Sequence, residues 1–193
     1  AAFLKQPEHR DIRIDIEERV STGVLSGLRE GVAALGICWD VADFAGLQTR
    51  PWRGDQLSVV MPRGHPLATQ ASVWLAQTLD EDHVSLPPSS AVQLMLQRAA
   101  ALAGKPLNYR VVVATFDAAL RVVRAGLAIS VLPAELARPY ADAFGLSVVP
   151  LADDWARRRF AIATRGDDTL TPAARLLVEH LVATGRGEGK EFE

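Results

Sequence analysis

The stretches WRGDQLSVVMPRGHP at residues 52–66 and TFDAALRVVRAGLAISVLP at 115–133 carry the strongest structural signal in the chain. In the first, an apolar run ending at Met61 is bounded by Pro62 and a charged turn, which is the pattern of a buried strand. The second has apolar residues at helical spacing from Thr115 to Arg124, is stopped by Gly126, and runs into AISVL at 128–132. A helix feeding a charge-free, β-branched strand is the unit of an α/β crossover.

The same alternation extends in both directions. DIRIDIE at 11–17 alternates Ile12, Ile14 and Ile16 with charged residues, the period-two signature of a half-exposed strand. Ser21 or Thr22 can cap a following helix that Gly31 ends, and ALGICW at 34–39 reads as the next strand. QLSVVM at 56–61 is a strand and VWLAQTL at 73–79 a short amphipathic helix. Pro87 and Pro88 break the chain before Ser89 and Ser90, either of which can cap a helix running to Gly104. YRVVVA at 109–114, LSVVPL at 146–151 and RRFAIATR at 158–165 read as strands. Pro139 should shorten or bend the helix after Pro133, Pro172 opens a last helix, and the tail GRGEGKEFE should fray. Strands alternating with helices predict an α/β fold with mainly parallel sheets flanked by helices.

At 193 residues the chain can form one sizeable core or two small lobes. Hydrophobic residues make up 49% and charged residues 23%, the balance of an ordinary globular protein. A net charge of −2 argues against a module that grips nucleic acid by itself, which needs a surplus of Lys and Arg on one face. Cys38 is the single cysteine, so no intramolecular disulfide forms and a reducing cytoplasm suits the chain. No apolar run reaches the length of a membrane span, and AAFLKQPEHR lacks the features of a signal peptide.

Four short pieces, in order and spacing, carry a family resemblance: Gly-His-Pro-Leu at 64–67, Pro-Ser-Ser at 88–90, Ala-Gly-Leu-Ala-Ile at 125–129, and Leu132-Pro133. Over about residues 2 to 184 the chain resembles the effector-binding domain of LysR-type transcriptional regulators. The resemblance implies a two-lobed fold like that of type 2 periplasmic binding proteins, with two strands crossing at a hinge. Lobe one would be 1–57 plus 163–193, and lobe two 58–162. Three departures stand out: Ala34 replaces an acid usual before the buried strand, Ala128 replaces a glycine, and the family's first strand would precede Ala1. A DNA-binding helix-turn-helix would lie further upstream. The resemblance also implies a small-molecule effector, a homo-oligomer (dimers of effector domains, tetramers of the full-length protein), and DNA contact only through the upstream domain. The dimer would draw on helix 20–30 and the helix after Ser90.

In open parallel sheets a ligand sits beyond the carboxyl ends of the strands, where helix amides converge and the local dipole favours an anion. Ser89 and Ser90 satisfy this condition for a carboxylate, with plain N-capping as the alternative. Thr115 and Phe116 sit at a second such turn, which in the family contacts effector; a cap beside a core aromatic is the alternative. Cys38 and Trp39 end a strand, and an indole there can cover an aromatic or aliphatic effector or simply pack. Val131 and Leu132 end another strand and offer an apolar wall or ordinary core. The four His residues and Cys38 show no metal-binding spacing, no cofactor is expected, and no nucleophile has an identifiable base. Arg157, Arg158 and Arg159 read as a solvated edge. The expected function is effector sensing without chemistry. A transporter's solute-binding protein is the first alternative, and a small-metabolite enzyme using Asp40 and Asp117 is the second.

Overall fold

The computed structural model describes residues 2–88 and 90–188. They divide into two compact units, one formed by the residues up to Gly54 with those from Arg159 on, the other by Asp55–Arg158.

The first unit contains α1 (Ser21–Arg29), β1 (Gly36–Trp39), the opening half of β2 (Gln48–Pro62), most of β7 (Arg157–Thr164) and α5 (Pro172–Glu188). β1 pairs antiparallel with β7, Gly36 opposite Ala163 and Trp39 opposite Phe160. On one face of this ladder Leu25 and Leu28 of α1 cover Cys38 and Ala163. The other face buries Ile162 with Leu170 and Val178. Gly36 is glycine for a steric reason: a Cβ there would strike the Val24 side chain and lie 3.2 Å from Leu28 Cδ1. Gly31, at φ +78°, turns the chain out of α1, and Arg165 Nη1 donates to the Leu28 carbonyl at 2.8 Å, satisfying one of the helix's orphan acceptors.

The second unit holds β3 (Asp82–Ser85), α2 (Ala91–Leu102), β4 (Asn108–Val112), α3 (Phe116–Arg124), β5 (Ser130–Pro133), α4 (Ala134–Phe144) and β6 (Leu146–Pro150). β3 and β4 form a parallel ladder with Ser85 opposite Val112. Val84 N–H donates to the Ile129 carbonyl and Ile129 N–H to the Asp82 carbonyl, both at 2.8 Å, which ties β3 to the start of β5. β2 pairs antiparallel with β5 on one side and β6 on the other. One continuous core runs through these strands and takes in Val92 and Leu96 of α2, Leu120 and Val123 of α3, and Ala137 of α4.

The expectation of mainly parallel sheets is overturned, because the principal ladders β1–β7, β2–β5 and β2–β6 are antiparallel. Strand–helix–strand units do give strands of one direction here: β3 and β4 share it, as do β5 and β6, both opposed to β2. The helix-connected strands β5 and β6 are not neighbours, however, since the long β2 lies between them and makes both contacts antiparallel. Direction was readable from the connection, adjacency was not.

Residues 11–17 form no strand. Ile12 and Ile14 are half-buried and Ile16 is 87% exposed, so the alternation is present but no described strand accepts its backbone bonds. The segment expected as a helix at 73–79 makes a bridge at Val73 to Leu151 and a single 3-10 turn, Leu75–Thr78, whose Leu75 N–H is taken by Asp153 Oδ2 at 2.8 Å. Pro139 does not shorten α4, which runs on to Gly145 at φ +65°. α5 continues into the Gly-rich tail as far as Glu188, and residues 189–193 lie outside the described residues.

Candidate functional site

Each unit offers a set of groups suited to ligand binding. In the second unit, β3 and β4 leave their ladder side by side, with Val113 N–H donating to the Ser85 carbonyl at 2.9 Å. The turns that follow therefore start from one end of the ladder and lead into α2 and α3, with Ser90 and Thr115 at the two helix starts. Ser90 occupies the N-cap of α2 in extended backbone, but its side chain makes no capping bond. Its amide is used within the turn, donating to the Pro87 carbonyl at 2.8 Å. Ser89 lies outside the described residues. Thr115 is a working N-cap, its Oγ1 accepting from Ala118 N–H at 3.2 Å. Phe116 is half-buried against the main core. Val131 is paired with Val59 and Leu132 with Ser58, and both side chains are buried in that core rather than at its edge.

In the first unit Cys38 and Trp39 occupy successive positions of β1 and so point to opposite faces. Cys38 is buried beside Leu25 and Leu28, and burial pushes its thiol pKa up, away from a nucleophilic thiolate. Trp39 is half-buried and lines a pocket of about 380 Å³ with Ser21, Thr22, Leu25, Arg29, Val41, Ala42 and Asp43. Val20, not Ser21 or Thr22, is the N-cap of α1, and no side chain caps the helix. The two hydroxyls expected to cap α1 stand instead at the pocket. Sequence reasoning singled out Trp39 but not the rest of this lining, for which two adjacent hydroxyl residues ahead of an apolar helix were the advance sign.

The remaining polar groups are engaged structurally. Asp40 lies 3.2 Å from Arg159 and Asp117 accepts from Arg121 at 2.8 Å, so each aspartate considered for acid–base work already faces a guanidinium. Arg158 corrects the reading of 157–159 as a solvated edge. It is 7% exposed, and its Nε donates to Asp55 Oδ1 at 2.7 Å while Nη2 bonds Oδ2 of the same carboxylate. Buried His83 donates through Nε2 to the Thr78 carbonyl at 2.8 Å, and desolvation lowers its pKa. Among the described residues no group of three or more His, Cys, Asp or Glu is placed to hold a metal, and no helix is long and apolar enough to cross a membrane.

Comparison with known proteins adds a family and a fold. The LysR substrate binding domain profile matches residues 5–186. An uncharacterized HTH-type transcriptional regulator of Escherichia coli K12, YbhD, is 27% identical over 166 residues, 85% of this chain and 51% of that protein. The chain thus spans about half the length of this curated relative. The regulatory domain of Synechocystis PCC6803 CcmR, solved in complex with 2-PG, superposes with a TM-score of 0.83 at 17% identity, covering 97% of this chain and 89% of that one. The BenM effector-binding domain with its effector benzoate gives 0.76 at 23% identity, covering 98% and 86%. The QuiR effector-binding domain in complex with shikimate gives 0.75 at 20% identity, covering 97% and 88%.

Proposed function

The chain belongs to the LysR substrate-binding domain family, and from that premise we propose that it senses a small cyclic or aromatic carboxylate and passes the binding energy on to an attached DNA-binding domain. It is an effector-binding domain of a regulator, and this membership sets aside the transporter-receptor and enzyme alternatives. The observation that carries the ligand class is the convergence of the α2 and α3 first turns at one end of the β3–β4 ladder, where helix amides and the Ser90 hydroxyl favour an anion. Benzoate and shikimate, bound by structural relatives, each place a carboxylate on a six-membered ring, which supports the same class.

In this reading the lobes are 1–57 with 163–193, and 58–162. Ser90, Thr115 and Phe116 of the second unit hold the carboxylate end, and the first unit offers its own apolar surface at Trp39. Effector acts by binding one conformation better than another, and only that difference in affinity is transmitted. The domains work as homo-oligomers in the cytoplasm, and DNA is contacted by a helix-turn-helix elsewhere in the full-length protein.

A thermal-shift screen against cyclic carboxylates, other organic acids and amino acids tests the proposal. A ligand at 100 times its Kd adds about 2.7 kcal/mol to stability. A cyclic carboxylate should raise Tm, and Thr115→Ala should weaken that response at least tenfold in ligand concentration. A hit that responds equally in wild type and Thr115→Ala, or a screen in which only amines stabilise the domain, would remove the anion site from α2 and α3.

A further inference from the structure

We infer that the pocket of the first unit is a second anion-recognition point, in which Arg29 binds the acidic group of an elongated organic acid whose apolar body lies along α1. The inference rests on the reading of the chain as a sensor of small carboxylates and adds the residue, the orientation and the shape of ligand.

Arg29 and Ser21 line the same pocket although eight residues separate them on one helix, a rise of about 12 Å. The pocket therefore extends along α1 rather than sitting at its end. Between its two extremes the walls are Leu25, Val41, Ala42 and the ring of Trp39. At one extreme stand the Ser21 and Thr22 hydroxyls, which no capping bond occupies. At the other stands Arg29, the single cation among the lining residues.

The Arg29 guanidinium is held from one side. Nη2 donates to the carbonyls of Asp43 at 2.9 Å and Ala45 at 3.1 Å, and Nε reaches the Ala45 carbonyl at 3.3 Å. These bonds fix the planar group on the 43–45 loop, yet neutral carbonyls leave its charge uncompensated. Among the described residues Nη1 has no partner and no carboxylate lies within ion-pair distance of Arg29. Asp43 also lines the pocket, but its Oδ1 is turned to its own loop, accepting from Ala45 N–H at 3.1 Å. A fixed guanidinium with a spare edge beside apolar walls is an arrangement that prefers a carboxylate to a neutral polar group. A plain strap for the loop would account for Nε and Nη2. It leaves Nη1 unused on a residue that lines the pocket.

Calorimetric titration of the domain with octanoate and 4-phenylbutyrate, against octanamide, 4-phenylbutyramide and octylamine, tests this. Each acid should bind at least tenfold more tightly than its amide. Arg29→Gln should bring acid affinity down to that of the amide. Val41→Trp, at an exposed pocket wall where folding is not at stake, should remove acid and amide binding together. Equal affinity for acid and amide in wild type, which needs no variant to fold, would overturn the inference, as would preference for octylamine, which would make Asp43 the recognised charge. Acid binding abolished by Thr115→Ala but untouched by Arg29→Gln and Val41→Trp would overturn it while leaving the carboxylate-sensor reading intact. Failure of every probe and every screened metabolite to bind wild type would overturn both.

Discussion

The two units are built to different standards of cohesion. In the second, a single apolar cluster threads β2 through β6 and three helices, so each buried side chain is supported from several elements. In the first, the buried apolar residues fall into two small groups, Leu25, Leu28, Cys38 and Ala163 on one face of the β1–β7 ladder, Ile162, Leu170 and Val178 on the other. β1 stands at the end of its strand order beside β7, so it depends heavily on what packs against it. The comparison implies that the pocket beside Trp39 stands on the softer scaffold and that ligand binding has most order to add there. Hydrogen exchange should show it directly, with the amides of α1 and β1 opening at lower free energy than those of β3 and β5.

The largest effect is expected where the second unit begins and ends in sequence. Asp55 and Arg158 are its first and last residues, and their doubly hydrogen-bonded pair is 9% and 7% exposed. Removing the carboxylate takes both of these hydrogen bonds from a buried guanidinium. Asp55→Ala should therefore cost about 3–5 kcal/mol in urea unfolding. Replacing both residues by apolar side chains should cost much less than the sum of the single changes. Equal and additive losses would mean that the pair is solvated in practice and that the second unit's cohesion does not depend on it.

A direct contrast comes from two leucines that are both 0% exposed, Leu132 in the second unit and Leu28 in the first. Leu132→Ala should cost about 3–5 kcal/mol, because the surrounding cluster is too well tied to close over the cavity. Leu28→Ala should fall nearer 2–3 kcal/mol, since its neighbours Val24, Ala33, Phe44 and Leu47 are only partly buried and can move in. Losses of the same size would erase the distinction between the two cores.

Much of this architecture was legible in the residues. The helix from Phe116 to Arg124 and the strand following it carry local signals, a threonine cap, apolar spacing and Gly126 at φ +69°, that tertiary context had no reason to override. What could not be read was set by partners distant in sequence. Ile12, Ile14 and Ile16 have the pattern of a strand without a described neighbour to pair with. β2 lies between β5 and β6, a placement no connection encodes. Arg158 looked like one of three solvated arginines, and the carboxylate that buries it lies 103 positions away. The turn residues Ser90 and Thr115 were found because strand–helix junctions announce themselves locally, whereas Arg29 acquires its setting from a loop fourteen to sixteen residues further on.

Acid should weaken the second unit through His83. Burial lowers its pKa below the ordinary value of about 6.5, so the folded protein keeps the ring neutral where the unfolded chain takes up a proton. The sign follows: its contribution is neutral well above pH 6.5 and becomes destabilising as pH falls below it, with a slope of up to about 1.4 kcal/mol per pH unit until the folded ring itself protonates. His83→Gln, which can still donate to the Thr78 carbonyl, should flatten the dependence of urea stability on pH between about 7 and 5. An unchanged slope would assign the acid response to other groups.

The smallest expected effects separate stability from recognition. Thr115 caps α3 through its hydroxyl, so Thr115→Ala should cost about 1 kcal/mol before any ligand is present. Ser90 makes no such bond at α2, and neither Ser21 nor Thr22 caps α1. Ser90→Ala and Thr22→Ala should therefore leave unfolding within about 0.5 kcal/mol of wild type, as surface changes away from special features do. Ligand binding in these two variants then reports on recognition alone, free of the folding cost that complicates Thr115. If Thr22→Ala weakens acid binding at unchanged stability while Ser90→Ala does not, the first unit's pocket is the dominant recognition surface. The opposite result places recognition on the better-built unit, and the softness of the first then has no part in sensing.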